Sequence, residues 1–272
     1  MALILVVVYV SGRWLVSRFL TGGPIIPADH CVAQASGYEG SMLPAQGPNA
    51  AIIVGEAIIR GLPARAATIA LAAAWQESAL LNLDYGDRDS LGLFQQRPSQ
   101  GWGTPEQIMD PWYAAGKFYD ALVKIKGWQT GDVNDMAQKV QISAFPDAYR
   151  QHESAARAWA STLTGNTSAG VRCVINNGSG GGAADLKTLL DKIWGDKLTI
   201  DQTDSTIKIK APDSDTAWSV AQISMIQLAQ NGFVSVQVAG WSWQMDPHAV
   251  ATWSQVDAST ALGANQVVLV LA

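Results

Sequence analysis

Glu77 is the first side chain whose setting points to chemistry. It follows Ala72-Ala73-Ala74-Trp75-Gln76 at the end of a nearly all-apolar helix expected over 64–78. A carboxyl among apolar and aromatic groups is pushed toward its protonated form, and a neutral carboxylic acid near pH 7 can deliver a proton to a leaving oxygen. Taken alone, a glutamate near a helix end serves equally well as a solvated surface residue. More polar groups follow in a stretch dense in Gly, Asp, Ser and Pro over 82–103, which reads as an ordered loop. It carries Gly92-Leu93-Phe94-Gln95-Gln96 and then Pro98. An amide such as Gln95 can donate to and accept from the polar groups of a ligand. Trp102, in Gln100-Gly101-Trp102-Gly103, is a candidate for the wall of a cleft beside it.

Together, Glu77-Ser78, then Gly92-Leu93-Phe94-Gln95, then Pro98 resemble the signature of the lytic transglycosylases of the goose-type lysozyme-like superfamily. There Glu-Ser is followed at this spacing by Gly-Leu-Met-Gln and Pro, and Phe94 stands at the place of the Met. Asp110-Pro111 with Gly116 and Tyr119 matches the Asp-Pro helix of that family, and the resemblance covers roughly 47–165. It implies that Glu77 is the general acid and then the base, and that Ser78, Gln95 and Tyr119 shape the sugar cleft. Gln96 is grouped with them. The implied activity is cleavage of peptidoglycan glycan strands between N-acetylmuramic acid and N-acetylglucosamine.

Two features depart from the pattern. The family's later Ala-Tyr-Asn-Ala-Gly motif is expected near residue 144, where this chain has Ser143-Ala144-Phe145-Pro146-Asp147-Ala148-Tyr149. The Asn is missing, and Phe145 or Tyr149 takes the aromatic role. Between the Glu and Gln blocks, Asp84, Asp87 and Asp89 either place a second carboxylate near the cleft or form a solvated, ion-paired turn. A second carboxylate suits a hydrolytic muramidase, whereas one essential carboxylate suits a lytic transglycosylase. The rival from another class is a non-catalytic wall-binding or scaffolding protein that keeps the cleft.

The elements that must position these residues are helical at first. Ala50 to Arg60 is an apolar helix stopped by Gly61 and Pro63, and Asp110-Pro111 is an N-cap and N1 pair opening a helix with Trp112, Ala115, Phe118, Leu122 and Ile125 on one face. Two more helices are expected around 134–143 and 147–164. Beyond Asn176 to Gly182, the pattern mixes helices at 186–194 and 216–230 with strands at 198–201, 206–210, 233–238 and 267–271. The fold class expected is therefore α+β overall: an all-α, lysozyme-like domain over 31–173, a Gly-rich linker over 174–184, and a small α+β domain over 185–272. No constellation in that last segment reads as a second active site, and it is a candidate module for a protein partner. Trp241 and Trp243 alternate on a strand and form either part of its core or a sugar-stacking platform.

Composition narrows the setting. The chain has 272 residues and a net charge of -5, so there is no basic field for nucleic acid. Three scattered histidines and two distant cysteines give no metal spacing, and no cofactor is indicated. Residues 1–23 carry an apolar run, Ala2 to Val10, and a second one interrupted by Arg13 and Arg18. They read as an export signal or membrane anchor with a start upstream, or else as a buried strand. Export puts the remainder outside the cytoplasm, secreted or membrane-tethered at the cell wall. There Cys31 and Cys173, flanking the helical region, are expected to pair as a disulfide, the alternative being two buried thiols.

Overall fold

The computed structural model describes residues 28–176, 182–246 and 249–272. The expected signal or anchor segment, 1–23, lies outside the described residues, as do 177–181 of the glycine-rich stretch. Among the described residues no helix is long and apolar enough to cross a membrane.

The fold is mixed helix and sheet. Helix α1, Gly47–Ile59, leads to the central helix α2, Ala64–Ser78. Every residue of α2 from Ala66 to Ala74 is buried, because its alanines let neighbours approach on all sides. It packs against α1, α4 (Pro111–Leu122), α5 (Val133–Gln141) and α6 (Glu153–Leu163). A one-turn helix, α3 (Pro105–Ile108), precedes α4 and opens with a Thr104–Gln107 capping box. Asp110 caps α4 through the Trp112 amide, as its sequence suggests.

The helical segment is not all-α, which corrects the expectation. Strands β1 (His30–Ala35), β2 (Tyr38–Met42) and β3 (Val171–Val174) form an antiparallel sheet in the order β2-β1-β3. These strands are only 4 to 6 residues long, too short for alternation to stand out beside the helical periods. The signal that was present is Ser36-Gly37, whose φ values of 50° and 83° make a two-residue turn between Ala35 and Tyr38. Cys31 and Cys173 face each other in the β1–β3 register and form the expected disulfide. Joining residues 142 apart in sequence, it stabilises by roughly 4–5 kcal/mol in the chain-entropy account.

The second segment folds as α7 (Ala183–Trp194), β4 (Thr199–Thr203), β5 (Thr206–Lys210), α8 (Ser214–Leu228), β6 (Phe233–Val238), β7 (Trp241–Gln244), β8 (Ser254–Gln255) and β9 (Gln266–Leu271). Its six strands run in the order β4-β5-β9-β6-β7-β8, every neighbouring pair antiparallel. Ile207 and Ile209 point into the core, while Lys208 and Lys210 stay exposed. Trp243 is fully buried against Phe233, and Trp241 is only partly covered.

The glycine-rich stretch does not leave two independent bodies, contrary to what its composition implies. Helix α8 packs not only on β6 and β9 but also on α1 and α6. Gln222, fully buried on α8, accepts from the Gly170 and Val171 amides at 2.9 and 3.0 Å and donates to the carbonyls of Thr162 and Thr167 at 2.7 and 2.9 Å. The turn backbone that joins α6 to β3 is thus satisfied from the second segment. A Cβ at Gly47 would collide with the Ile226 carbonyl, so that glycine sets how close α1 and α8 lie.

Candidate active site

Glu77 sits in the last turn of α2, half-buried, and three hydrogen bonds draw separate parts of the chain together there. The Tyr149 hydroxyl donates to Glu77 Oε1 at 2.6 Å. The Ser78 hydroxyl donates to the Leu93 carbonyl at 2.7 Å. Gln141 Nε2 donates to the Phe94 carbonyl at 2.8 Å. The Gly92–Gln95 loop and the 141–149 segment are therefore joined to the end of α2 and to each other, with Tyr149 alone bonding the carboxylate. No described group hydrogen-bonds Glu77 Oε2, which leaves that oxygen for an exogenous partner.

The helix ends abruptly. Ala79 and Leu80 both have left-handed backbones, with φ of 53° and 59°. For non-glycine residues that conformation costs free energy, and it persists because surrounding groups over-determine it. The amides of Gln46 and Asn49 supply the restraint, donating to the Ala79 and Leu80 carbonyls at 2.8 Å each. Leu80 is also fully buried in the core.

The Gln block is a closed loop. Leu91 and Gln96 exchange both backbone hydrogen bonds at 3.0 Å, so Gly92 to Gln95 bulge out as a four-residue turn. Leu93 and Phe94 plug into the core, Phe94 stacking on Phe118 with ring centroids 4.8 Å apart. Gly92 has φ 73°, and a Cβ there would press on the Ile108 carbonyl at 2.7 Å.

Several residues expected to contact sugar have structural roles instead. Tyr119 is fully buried and its hydroxyl donates to the Ile53 carbonyl at 2.8 Å, out of reach of a substrate. Burial pushes that phenol well above its usual range. Ser78 is buried, with its hydroxyl committed to the Ala74 and Leu93 carbonyls. Gln96 is buried, too, its amide donating to the Ala114 carbonyl at 3.1 Å. Gln95 spends its amide nitrogen on the Tyr85 and Gly92 carbonyls at 3.2 and 3.3 Å, clasping its own loop. Gly116 clears space for an ion cluster: a Cβ would sit 2.9 Å from Arg60, which pairs with Glu56 and Asp120.

The remaining candidates divide. Tyr149 is fully buried and takes the aromatic position beside Glu77, while Phe145 projects into solvent, 73% exposed. Burial, and then the bond to Glu77, push the Tyr149 phenol upward, so it remains a protonated donor. Trp102 is half-buried and accepts from the Tyr113 hydroxyl through its carbonyl at 3.2 Å. Asp89 is no free second carboxylate: the Ser99 hydroxyl and amide, with the Arg97 guanidinium 2.7 Å away, hold it well below the usual carboxylate range. Asp84 and Asp87 are exposed.

Sequence reasoning missed the polar cluster beside the glutamate. Gln76 Oε1 accepts from Gln151 Nε2 at 2.9 Å and lies 3.1 Å from His152 Nε2, and the His152 ring lies nearly parallel to Trp75 at 6.2 Å. Burial lowers the His152 pKa. The available signal was Gln151-His152 two and three residues after Tyr149, yet nothing in the sequence pairs them with Gln76. Among the described residues no cluster of three or more His, Cys, Asp or Glu could hold a metal ion. Compared with known proteins, the chain matches no family model and no curated protein.

Proposed function

We propose that the protein cleaves peptidoglycan glycan strands between N-acetylmuramic acid and N-acetylglucosamine, acting as a lytic transglycosylase with Glu77 as its one acid and base. The observation that carries this reading is a carboxylate with one oxygen fixed by a buried tyrosine and the other free, at a helix end where the Gly92–Gln95 loop and the 141–149 segment converge. Glu77 donates its proton to the glycosidic oxygen as the C1–O bond breaks. The carboxylate then takes the proton of the substrate's own C6 hydroxyl as that oxygen bonds to C1, which returns Glu77 protonated and leaves a 1,6-anhydro end.

Hydrolysis by water would call on a second carboxylate, and the engagement of Asp89 by Arg97 and Ser99 favours the intramolecular outcome. The disulfide is compatible with a place outside the cytoplasm, where the substrate lies. Purified sacculi are the test. Wild-type protein should release soluble muropeptides ending in an anhydro sugar, lighter by one water than the hydrolytic product. Glu77→Gln should lose at least a hundredfold in turnover with unchanged thermal unfolding, since positioned acid–base catalysis is worth about 10²–10⁴. Sacculus binding without turnover by the wild type would establish the non-catalytic scaffold instead.

A further inference from the structure

Away from Glu77, a cavity of about 250 Å³ opens at the seam between the two segments. The first segment contributes Gln34, Ser168 and Arg172, and the second contributes Trp241, Thr252 and Trp253. The walls are held in place. Trp253 donates its indole N–H to the Val171 carbonyl at 2.7 Å and packs edge-on against Trp218 at 5.2 Å, and Trp241 is fixed on β7 by pairing with Gln255. Arg172, on β3, is the one charged group among the described residues lining it. Its guanidinium donates to Gln34 Oε1 at 3.1 Å, and no carboxylate among the described residues lies within ion-pairing distance, whereas Arg60, Arg97, Arg150 and Arg157 each have one.

We propose that this cavity binds a single sugar ring bearing a carboxylate. A guanidinium fork recognises a carboxylate through two parallel hydrogen bonds. An indole face covers the apolar side of a pyranose, and the Ser168 and Thr252 hydroxyls and the Gln34 amide serve its ring hydroxyls. The volume lies below the roughly 300–1,000 Å³ of drug-sized sites, which fits one ring. The carboxylate comes from the lactyl group of a muramic acid residue or from a uronic acid. Either source makes the site a second hold on an acidic polymer, independent of whether Glu77 turns it over.

The test uses the full chain with monosaccharides, which have no glycosidic bond to cleave, and reads the indole N–H resonances by NMR. N-acetylmuramic acid, glucuronic acid and N-acetylglucosamine are titrated in turn. Saturable shifts of the Trp241 and Trp253 signals with an acidic sugar, at least tenfold weaker with N-acetylglucosamine, support the site, and the stronger of the two acids names the source. Arg172→Gln should weaken acidic-sugar binding at least tenfold, and Arg172→Lys, which keeps the charge but not the fork, should weaken it by less. Equal binding of the neutral sugar, unchanged affinity in both variants, or no shift at either tryptophan with any of the three sugars overturns the proposal.

Discussion

At the residue scale, the Tyr149 hydroxyl is the interaction that defines the orientation of Glu77. Because the phenol stays protonated, it holds Oε1 as an acceptor, while no described group hydrogen-bonds Oε2. Tyr149→Phe keeps the buried ring and removes only that donor. On sacculi, kcat should fall about tenfold or more with KM little changed, as expected for a group that positions the acid rather than binding sugar. Unchanged kcat would mean that Glu77 is oriented by something else. His152 gives a pH signature. Its imidazole is disfavoured from charging by burial, so its folded pKa lies below its unfolded value near 6.5. The unfolded chain then binds the proton more readily, and stability from the neutral ring is present above about pH 6.5 and lost as pH falls through the lower folded value. Urea unfolding at pH 7.5 and pH 5 should show wild-type protein losing more stability on acidification than His152→Gln. Equal losses would remove His152 as a cause.

At the element scale, what positions Glu77 is the abrupt end of α2, and that end is costly. Ala79 is exposed, so its methyl group contributes no core packing, yet it holds φ at 53°. Ala79→Gly removes the steric cost while adding freedom to the unfolded chain, and the net expected from chemical denaturation is about 0.5 kcal/mol of added stability. A loss of stability would show that the Gln46 and Asn49 hydrogen bonds hold the turn without strain. This scale also separates what the sequence disclosed from what it hid. The apolar run of α2 and the Asp110-Pro111 cap were legible because each is a local pattern. Tyr149 was legible as one of two aromatic candidates, and only packing decided between it and exposed Phe145. Tyr119 and Ser78 matched a motif by spacing, and Gln96 adjoined one, but spacing does not say which side of a helix or loop meets the core. The β1–β3 pairing and the Gln76–His152 cluster were hidden because each joins residues more than 70 apart, whereas the local β1–β2 hairpin was hidden because its strands are short.

At the scale of the whole molecule, the second segment completes the first. The motif residues all fall before residue 150, inside the 31–173 segment that the sequence suggests is a separate domain. Packing argues otherwise. Cutting after residue 176 would strip α8 from α1 and α6 and expose the faces it covers. It would also exchange the Gln222 hydrogen bonds to two amides and two carbonyls for hydrogen bonds to water, a net loss of about 0.5–1.5 kcal/mol each on top of the apolar surface exposed. Set against the 5–15 kcal/mol that holds a typical domain, that loss is enough to unfold the piece. Residues 28–176 expressed alone are therefore expected to be unfolded or aggregated and inert on sacculi, with or without the disulfide. Gln222→Ala in the full chain isolates one part of the effect. It should lower stability by about 3–5 kcal/mol in denaturant titrations while leaving Glu77 turnover within a few-fold under conditions where the variant remains folded. A soluble 28–176 fragment with native-like unfolding and full turnover would show that the seam is an accessory contact. An inert fragment whose activity returns when residues 182–272 are supplied as a separate chain would place the integrity of the Glu77 site in the shared core.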